Sequence, residues 1–143
     1  MLDNFRNFMQ SFLGMNNNQN RNRGYQNRYR GNMNYKLIPF ERAKNMIEKN
    51  DVLLIDVRTA NEYDLMHIKN AINIPVNEIE QRIFQVDSTH PLMVYCSSGA
   101  RSKTAIQILN NLGYNNIYIW EYGALATFPY KNMLVYGENG RII

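Results

Sequence analysis

From residue 37 onward, short apolar runs alternate with segments of helical period. Leu37-Ile38 is followed by Pro39, which suits a helix start, and then by Phe40, Ala43, Met46 and Ile47 on one helical side. Val52-Leu53-Leu54-Ile55-Asp56 is a continuous apolar run of strand length, the kind buried on both faces of a parallel sheet. Thr59-Ala60-Asn61-Glu62 has capping-box spacing and predicts a short helix. Ala71-Ile72-Asn73-Ile74 is a further strand, ended by Pro75. Asn77 and Glu80 are expected to cap a helix with Ile79, Ile83 and Phe84 on its inner face. Pro91-Leu92-Met93-Val94-Tyr95 runs as a strand into Cys96. The next helix carries Ala105, Ile106, Leu109 and Leu112 on one face and stops at Gly113. Ile117-Tyr118-Ile119-Trp120 is the last clear strand. Strands alternating with helices predict an α/β fold, a central parallel sheet with helices on both faces. No internal repeat is visible.

The first 35 residues follow other rules. At 100° per residue, Met1, Leu2, Phe5, Phe8, Met9, Phe12 and Leu13 fall within an arc of roughly 140°. Residues 1–14 therefore read as an amphipathic helix, without the basic start and continuous apolar core of a secretory signal. Residues 15–35 are rich in Asn and Arg and too poor in apolar side chains to offset the entropy of ordering, so they are expected to be a disordered linker. The folded domain is expected over 36–130. In 131–143 a hairpin is expected, with Met133 to Tyr136 and Arg141 to Ile143 flanking the turn Gly137-Glu138-Asn139-Gly140.

Length and charge narrow the function. The 143 residues make one domain with a little chain to spare, and no run approaches the roughly 20 apolar residues that span a bilayer. The net charge of +4 is unevenly spread. Arg6, Arg21, Arg23, Arg28, Arg30 and Lys36 against Asp3 give the first 36 residues +5, which leaves −1 for the rest. A broad basic face on the domain is thereby excluded, and nucleic acid ranks last among its partners. One Cys excludes an internal disulfide and a Cys-rich zinc site, and a reducing, cytoplasmic setting is expected. The pattern holds no metal-ligand cluster and no phosphate-binding Gly-rich loop, so no metal or other cofactor is expected.

Candidate chemistry lies in Tyr95-Cys96-Ser97-Ser98-Gly99-Ala100-Arg101-Ser102, which joins a buried strand to a helix start. Ligands of parallel α/β sheets bind beyond the carboxyl ends of strands, where loop N–H groups and a helix N-terminus favour negative charge. Alone, a Cys closing a buried strand is commonly an inert small hydrophobe. Here the polar loop around it favours a reactive thiolate, with Gly99 allowing close backbone approach and Arg101 placed to offer a fork of donors to an oxyanion. Asp56 and Arg58, where a strand runs into a turn, read as a structural ion pair. Glu62 is explained by capping, and His67 reads as a hydrogen-bonded structural histidine.

Ile55-Asp56-Val57-Arg58, Glu62-Tyr63, His67-Ile68, Ala71-Ile72-Asn73-Ile74-Pro75 and the Cys96 to Ser102 loop together resemble a single-domain rhodanese. The matching pattern is D-x-R, E-[FY], G-H-I-x-x-A-x-N-I-P and C-x-x-G-x-R-S, in order over residues 37 to about 127. Three positions depart from it. Met66 stands where Gly is usual, Tyr122-Gly123 replaces Gly-Gly, and Thr127 stands where Trp is common. The resemblance implies a catalytic Cys96 that alternates between thiolate and persulfide, a substrate loop of Ser97, Ser98, Gly99, Ala100, Arg101 and Ser102, and structural roles for Asp56 and Arg58. Related Cys phosphatases place their Arg one residue further from the Cys, so the shorter loop here favours sulfur transfer over phosphoryl transfer.

The expected function is rhodanese-type sulfur transfer from a small donor such as thiosulfate to cyanide or a thiol acceptor, without cofactor. The alternative is a persulfide carrier or protein-binding module with little small-molecule turnover. Residues 1–14 are expected to contact a protein partner or, weakly, a membrane surface, which would make the chain cytoplasmic and peripheral.

Overall fold

The longer apolar runs of the chain become the inner strands of the sheet. The computed structural model describes residues 33–86 and 89–137. In chain order these form β1 (Lys36–Leu37), α1 (Phe40–Glu48), β2 (Leu53–Asp56), α2 (Ala60–Leu65), β3 (Met66–Ile68) and β4 (Ile72–Asn73), then α3 (Ile79–Arg82), β5 (Leu92–Tyr95), α4 (Ala100–Asn111), β6 (Ile117–Ile119) and β7 (Leu134–Tyr136). Five strands make one parallel sheet in the order β1-β6-β5-β2-β4. β5 sits at its centre, with Asp56 of β2 opposite Tyr95.

Alternation along the central strands sorts their side chains to two cores. Ile55 and Val57, with Leu92, Val94 and Cys96, face the layer holding Ile79 of α3 and Ala105, Ile106 and Leu109 of α4. Leu54, Met93 and Tyr95 face the other layer, with Ala43 and Ile47 of α1, Trp120 and Phe128. Helices therefore cover both faces, as the chain pattern predicts. Cys96 lies on the α4 side, so its sulfur meets the start of that helix.

Several local expectations are corrected. No side chain caps the segment after Pro75. A 3-10 turn at Val76–Glu78 leads into α3, and another at Ile83–Gln85 follows it. With 3.0 residues per turn replacing 3.6, the chain rotates Phe84 off the inner face, and it is 70% exposed while Ile79 and Ile83 are buried. Leu112 is the C-cap of α4 and no longer on its buried stripe; it is 41% exposed. Met33 packs against the Ile55 core, and Asn34 exchanges two hydrogen bonds with Asn110, so the expected linker gives way to ordered chain before residue 36. Residues 1–32, with the expected amphipathic helix, lie outside the described residues.

The expected tail at 131–143 is also partly domain. Leu134–Tyr136 pairs antiparallel with β3, and Met133 and Val135 are buried. The strand's partner is thus a distant segment that the turn signal Asn139-Gly140 does not reveal; the second expected arm, 141–143, lies outside the described residues.

The departures from the resembled pattern have different backbone consequences. Met66 has φ −169°, extended backbone open to any residue. Tyr122 has φ 65°, the left-handed region where a side chain is strained. Met66→Gly should therefore lower stability by roughly 0.5–1 kcal/mol, through greater freedom of the unfolded chain. Tyr122→Gly should raise it by about 1 kcal/mol. Urea unfolding midpoints of the two variants check the opposite signs, and equal signs would contradict the conformational argument.

Candidate active site

Cys96 follows β5 directly and is continued by a sharp loop. Gly99, the N-cap of α4, has φ 107°, a conformation that side-chain-bearing residues rarely adopt. That turn aims two backbone donors at the sulfur: Gly99 N–H at 2.8 Å and Ser102 N–H at 3.4 Å from Cys96 Sγ. The cysteine is 1% exposed. Both donors are fixed by the backbone at the N-terminus of a 12-residue helix, the end at which the helix carries partial positive charge.

Two neighbouring segments grip the loop. On one, Cys96 N–H donates to the Gly123 carbonyl, while the Cys96 and Ser97 carbonyls accept from Leu125 N–H and Ala126 N–H. Trp120 Nε1 donates to the Ala124 carbonyl at 2.9 Å, and Thr127 Oγ1 donates within the same turn. Ser102 also belongs to this grip. Its buried hydroxyl donates to the Gly123 carbonyl at 2.7 Å, so this residue, expected in substrate binding, spends its side chain on structure and only its N–H on the sulfur.

The other grip comes from α2. Thr59 and Glu62 form the expected capping box. Capping is only part of what Glu62 does. Its Oε1 accepts from Arg101 Nη1 at 2.6 Å and its Oε2 from Arg101 Nη2 at 3.0 Å and from Ser97 Oγ at 2.9 Å. The fork of Arg101, expected to face an oxyanion, is thus closed on a carboxylate of the protein itself. The hydrogen bonds from Arg101 hold the Glu62 carboxyl far below the ordinary carboxylate range, and the same pairing raises the Arg101 guanidinium. Sequence reading missed this contact. The signal available was adjacency: Glu62 opens the helix after β2, next to β5 in the sheet.

Asp56 and Arg58 form the expected ion pair, buried and bidentate. Arg58 Nη2 and Nε donate to Asp56 Oδ2 at 2.8 and 3.1 Å, and Nε and N–H donate to Oδ1 at 3.0 and 2.9 Å. Arg58 Nη2 also donates to the Met66 carbonyl. Asn73, which no functional reading singled out, donates to the carbonyls of both Asp56 and Arg58. His67 is stacked on Tyr63 at 3.6 Å, its Nδ1 2.7 Å from the Tyr63 carbonyl, which places the proton on that nitrogen. Ser98 is exposed and Ala100 half-buried at the loop's outer side.

Known proteins of similar sequence can be set beside this cysteine loop. The family model described as Rhodanese-like domain matches residues 40–126. The chain belongs to the rhodanese-like domain family. It is 30% identical over 86 residues to the thiosulfate sulfurtransferase GlpE of Coxiella burnetii, covering 60% of this chain and 80% of that protein. To the thiosulfate:glutathione sulfurtransferase of Saccharomyces cerevisiae it is 32% identical over 102 residues, covering 61% and 73%. The crystal structure of a rhodanese-related protein from Thermoplasma volcanium superposes with a TM-score of 0.57 at 29% identity, over 66% of this chain and 90% of that one. These relatives support membership of a sulfurtransferase family. Among the described residues of this rhodanese-like chain, no helix is long and apolar enough to cross a membrane.

The Glu62 pairing predicts a pH dependence. The ordinary carboxylate value is 4.5 and the folded value lies below it, so the unfolded chain binds more protons in acid. The pair's contribution to stability is complete above that value and is lost progressively as the pH falls below it. Between about pH 5 and about pH 3 wild-type stability should decline more steeply than that of Glu62→Gln. Urea unfolding across that range measures the two slopes, and parallel curves would remove Glu62 from the acid response.

Proposed function

We propose that this chain is a rhodanese-type sulfurtransferase whose single cysteine carries the sulfur as a persulfide. The observation that supports the reading best is the convergence of the Gly99 and Ser102 N–H groups on Cys96 Sγ. In the first half-reaction the Cys96 thiolate attacks the outer sulfur of a donor such as thiosulfate. A sulfur–sulfur bond forms to Cys96, the donor's sulfur–sulfur bond breaks, and sulfite leaves with the electron pair. Next, cyanide or a thiolate attacks the outer sulfur of the persulfide, and the Cys96 thiolate is released. This is covalent catalysis in two displacements, with ping-pong kinetics expected. The loop N–H groups stabilise the anion at each stage, and no redox partner is consumed. The names of the relatives, thiosulfate sulfurtransferase and thiosulfate:glutathione sulfurtransferase, support the same chemistry. A reducing compartment such as the cytoplasm suits a free thiol that must not be lost to disulfides.

Incubation with a competent donor should add the mass of one sulfur atom to the intact protein, removable by cyanide, and Cys96→Ser should gain none. Mass spectrometry before and after incubation makes the comparison. Sulfur loading by Cys96→Ser would defeat the proposal, whereas loading by wild type without steady-state thiocyanate formation would move the chain to the carrier reading.

A further inference from the structure

The charges around Cys96 cancel in pairs. Asp56 with Arg58 and Glu62 with Arg101 are each bidentate, and the two pairs are electrostatically linked: Glu62 acts on Arg58, and Asp56 and Cys96 act on Arg101. Glu62 accepts five hydrogen bonds in all, from Arg101 twice, from Ser97 Oγ, and from Thr59 N–H and Oγ1. It is therefore held by three residues, and these contacts favour its ionised form. A guanidinium so bound offers an incoming anion little net attraction, because the carboxylate beside it repels the same charge.

Resting on the sulfurtransferase reading, we propose that Glu62 is a specificity-determining residue. By withholding Arg101 it makes the mouth of the Cys loop nearly neutral, and so favours sulfur donors with at most one negative charge over dianionic thiosulfate. The donor class is that of hydropersulfides and thiosulfonates. With a thiosulfonate R–SO2–S⁻, the Cys96 thiolate attacks the terminal sulfur, the sulfur–sulfur bond of the donor breaks, and the sulfinate R–SO2⁻ leaves with the electron pair. The total charge is the same on both sides, and no oxidant or reductant is required. Glu62 acts on the donor's approach through Arg101.

Methanethiosulfonate and thiosulfate share a tetrahedral head and differ in charge, which makes them the discriminating pair. In Glu62→Gln the loading rate with thiosulfate, divided by that with methanethiosulfonate, should rise roughly fivefold over wild type. Alkylation supplies a readout that needs no sulfur transfer, since Cys96 is the sole cysteine. The rate with anionic iodoacetate divided by that with neutral iodoacetamide, read by intact mass, should rise by a similar factor in Glu62→Gln. It should return towards the wild-type value in Glu62→Gln/Arg101→Ala. Unchanged ratios in a Glu62→Gln protein that still unfolds cooperatively would overturn the proposal. If that variant does not fold, wild type alone decides. Its iodoacetate to iodoacetamide ratio should not fall as salt is raised, whereas a steep fall would reveal an uncommitted cation and overturn it. Failure of both reagents to reach Cys96 would also overturn it, because the proposal requires a mouth open to small ions. Absence of sulfur loading from either donor would instead defeat the sulfurtransferase reading, leaving the alkylation ratio to decide the role of Glu62.

Discussion

Two opposite charges lie buried at the carboxyl end of β2, and the site is built on them. Asp56 and Arg58 have side chains 0% and 6% exposed. Taking such a pair out of water costs several kcal/mol per ion unless the geometry and the remaining hydrogen bonds are nearly complete. Here they are: the contact is bidentate, the Arg58 N–H serves the same carboxylate, and the Met66 carbonyl takes a further guanidinium donor. Asn73 ties the flanking carbonyls to the neighbouring strand. Such closure fixes the direction in which the chain leaves β2. Thr59 and α2 begin immediately afterwards, so the position of Glu62 beside the Cys loop follows from the buried pair. Tyr95, opposite Asp56 in the sheet and facing the same core, carries the constraint to β5. Its hydroxyl accepts from Ile68 N–H, and burial pushes its pKa well above the ordinary value, so it remains a neutral wall behind the charges.

A loop that points backbone donors at one sulfur benefits from donors that do not move. The Cys loop reaches that state through restraints from two directions that share no residue outside the loop: Glu62 from the start of α2, and the turn after β6 through Gly123, Leu125 and Ala126. Outside the loop itself, neither grip contributes an atom to the sulfur. They fix the backbone whose N–H groups do, which is preorganisation in the physical sense: the donors are oriented before charge arrives, so little reorganisation is needed when it does. Gly123 shows how tight the second grip is, since a Cβ built there would stand 3.3 Å from Ser102 Cβ.

What the sequence reveals and what it hides divides along the range of the interaction. The parallel sheet, the helix after Cys96, the Thr59–Glu62 capping box and the Asp56–Arg58 pair are set by residues within a few positions of one another, or by apolar periodicity, and all of them are legible. The turn after Pro75 is misread by a 3.6-residue period, because the chain takes 3-10 geometry there and moves Phe84 to the surface. β7 escapes because its pairs with β3 lie 66 to 70 positions apart, and a three-residue strand carries too weak a signal to name its partner.

The Glu62–Arg101 contact joins residues 39 positions apart, and its concealment is of another kind. Each partner already has a sufficient local explanation, Glu62 as the third residue of a capping box and Arg101 as an anion-binding fork, so neither is left in search of the other. A carboxylate has more acceptor capacity than one cap uses, and a guanidinium has five donors in a fixed plane. Unspent capacity of this sort is a physical reason to look across the sheet for a second partner. For Glu62 the search is short, because the helix it opens comes after β2, and β2 lies directly beside the strand that ends at Cys96. Parallel neighbours deliver their succeeding loops and helices to the same edge of the sheet, so the residues that open α2 and those that open α4 meet there whether or not the local pattern announces it.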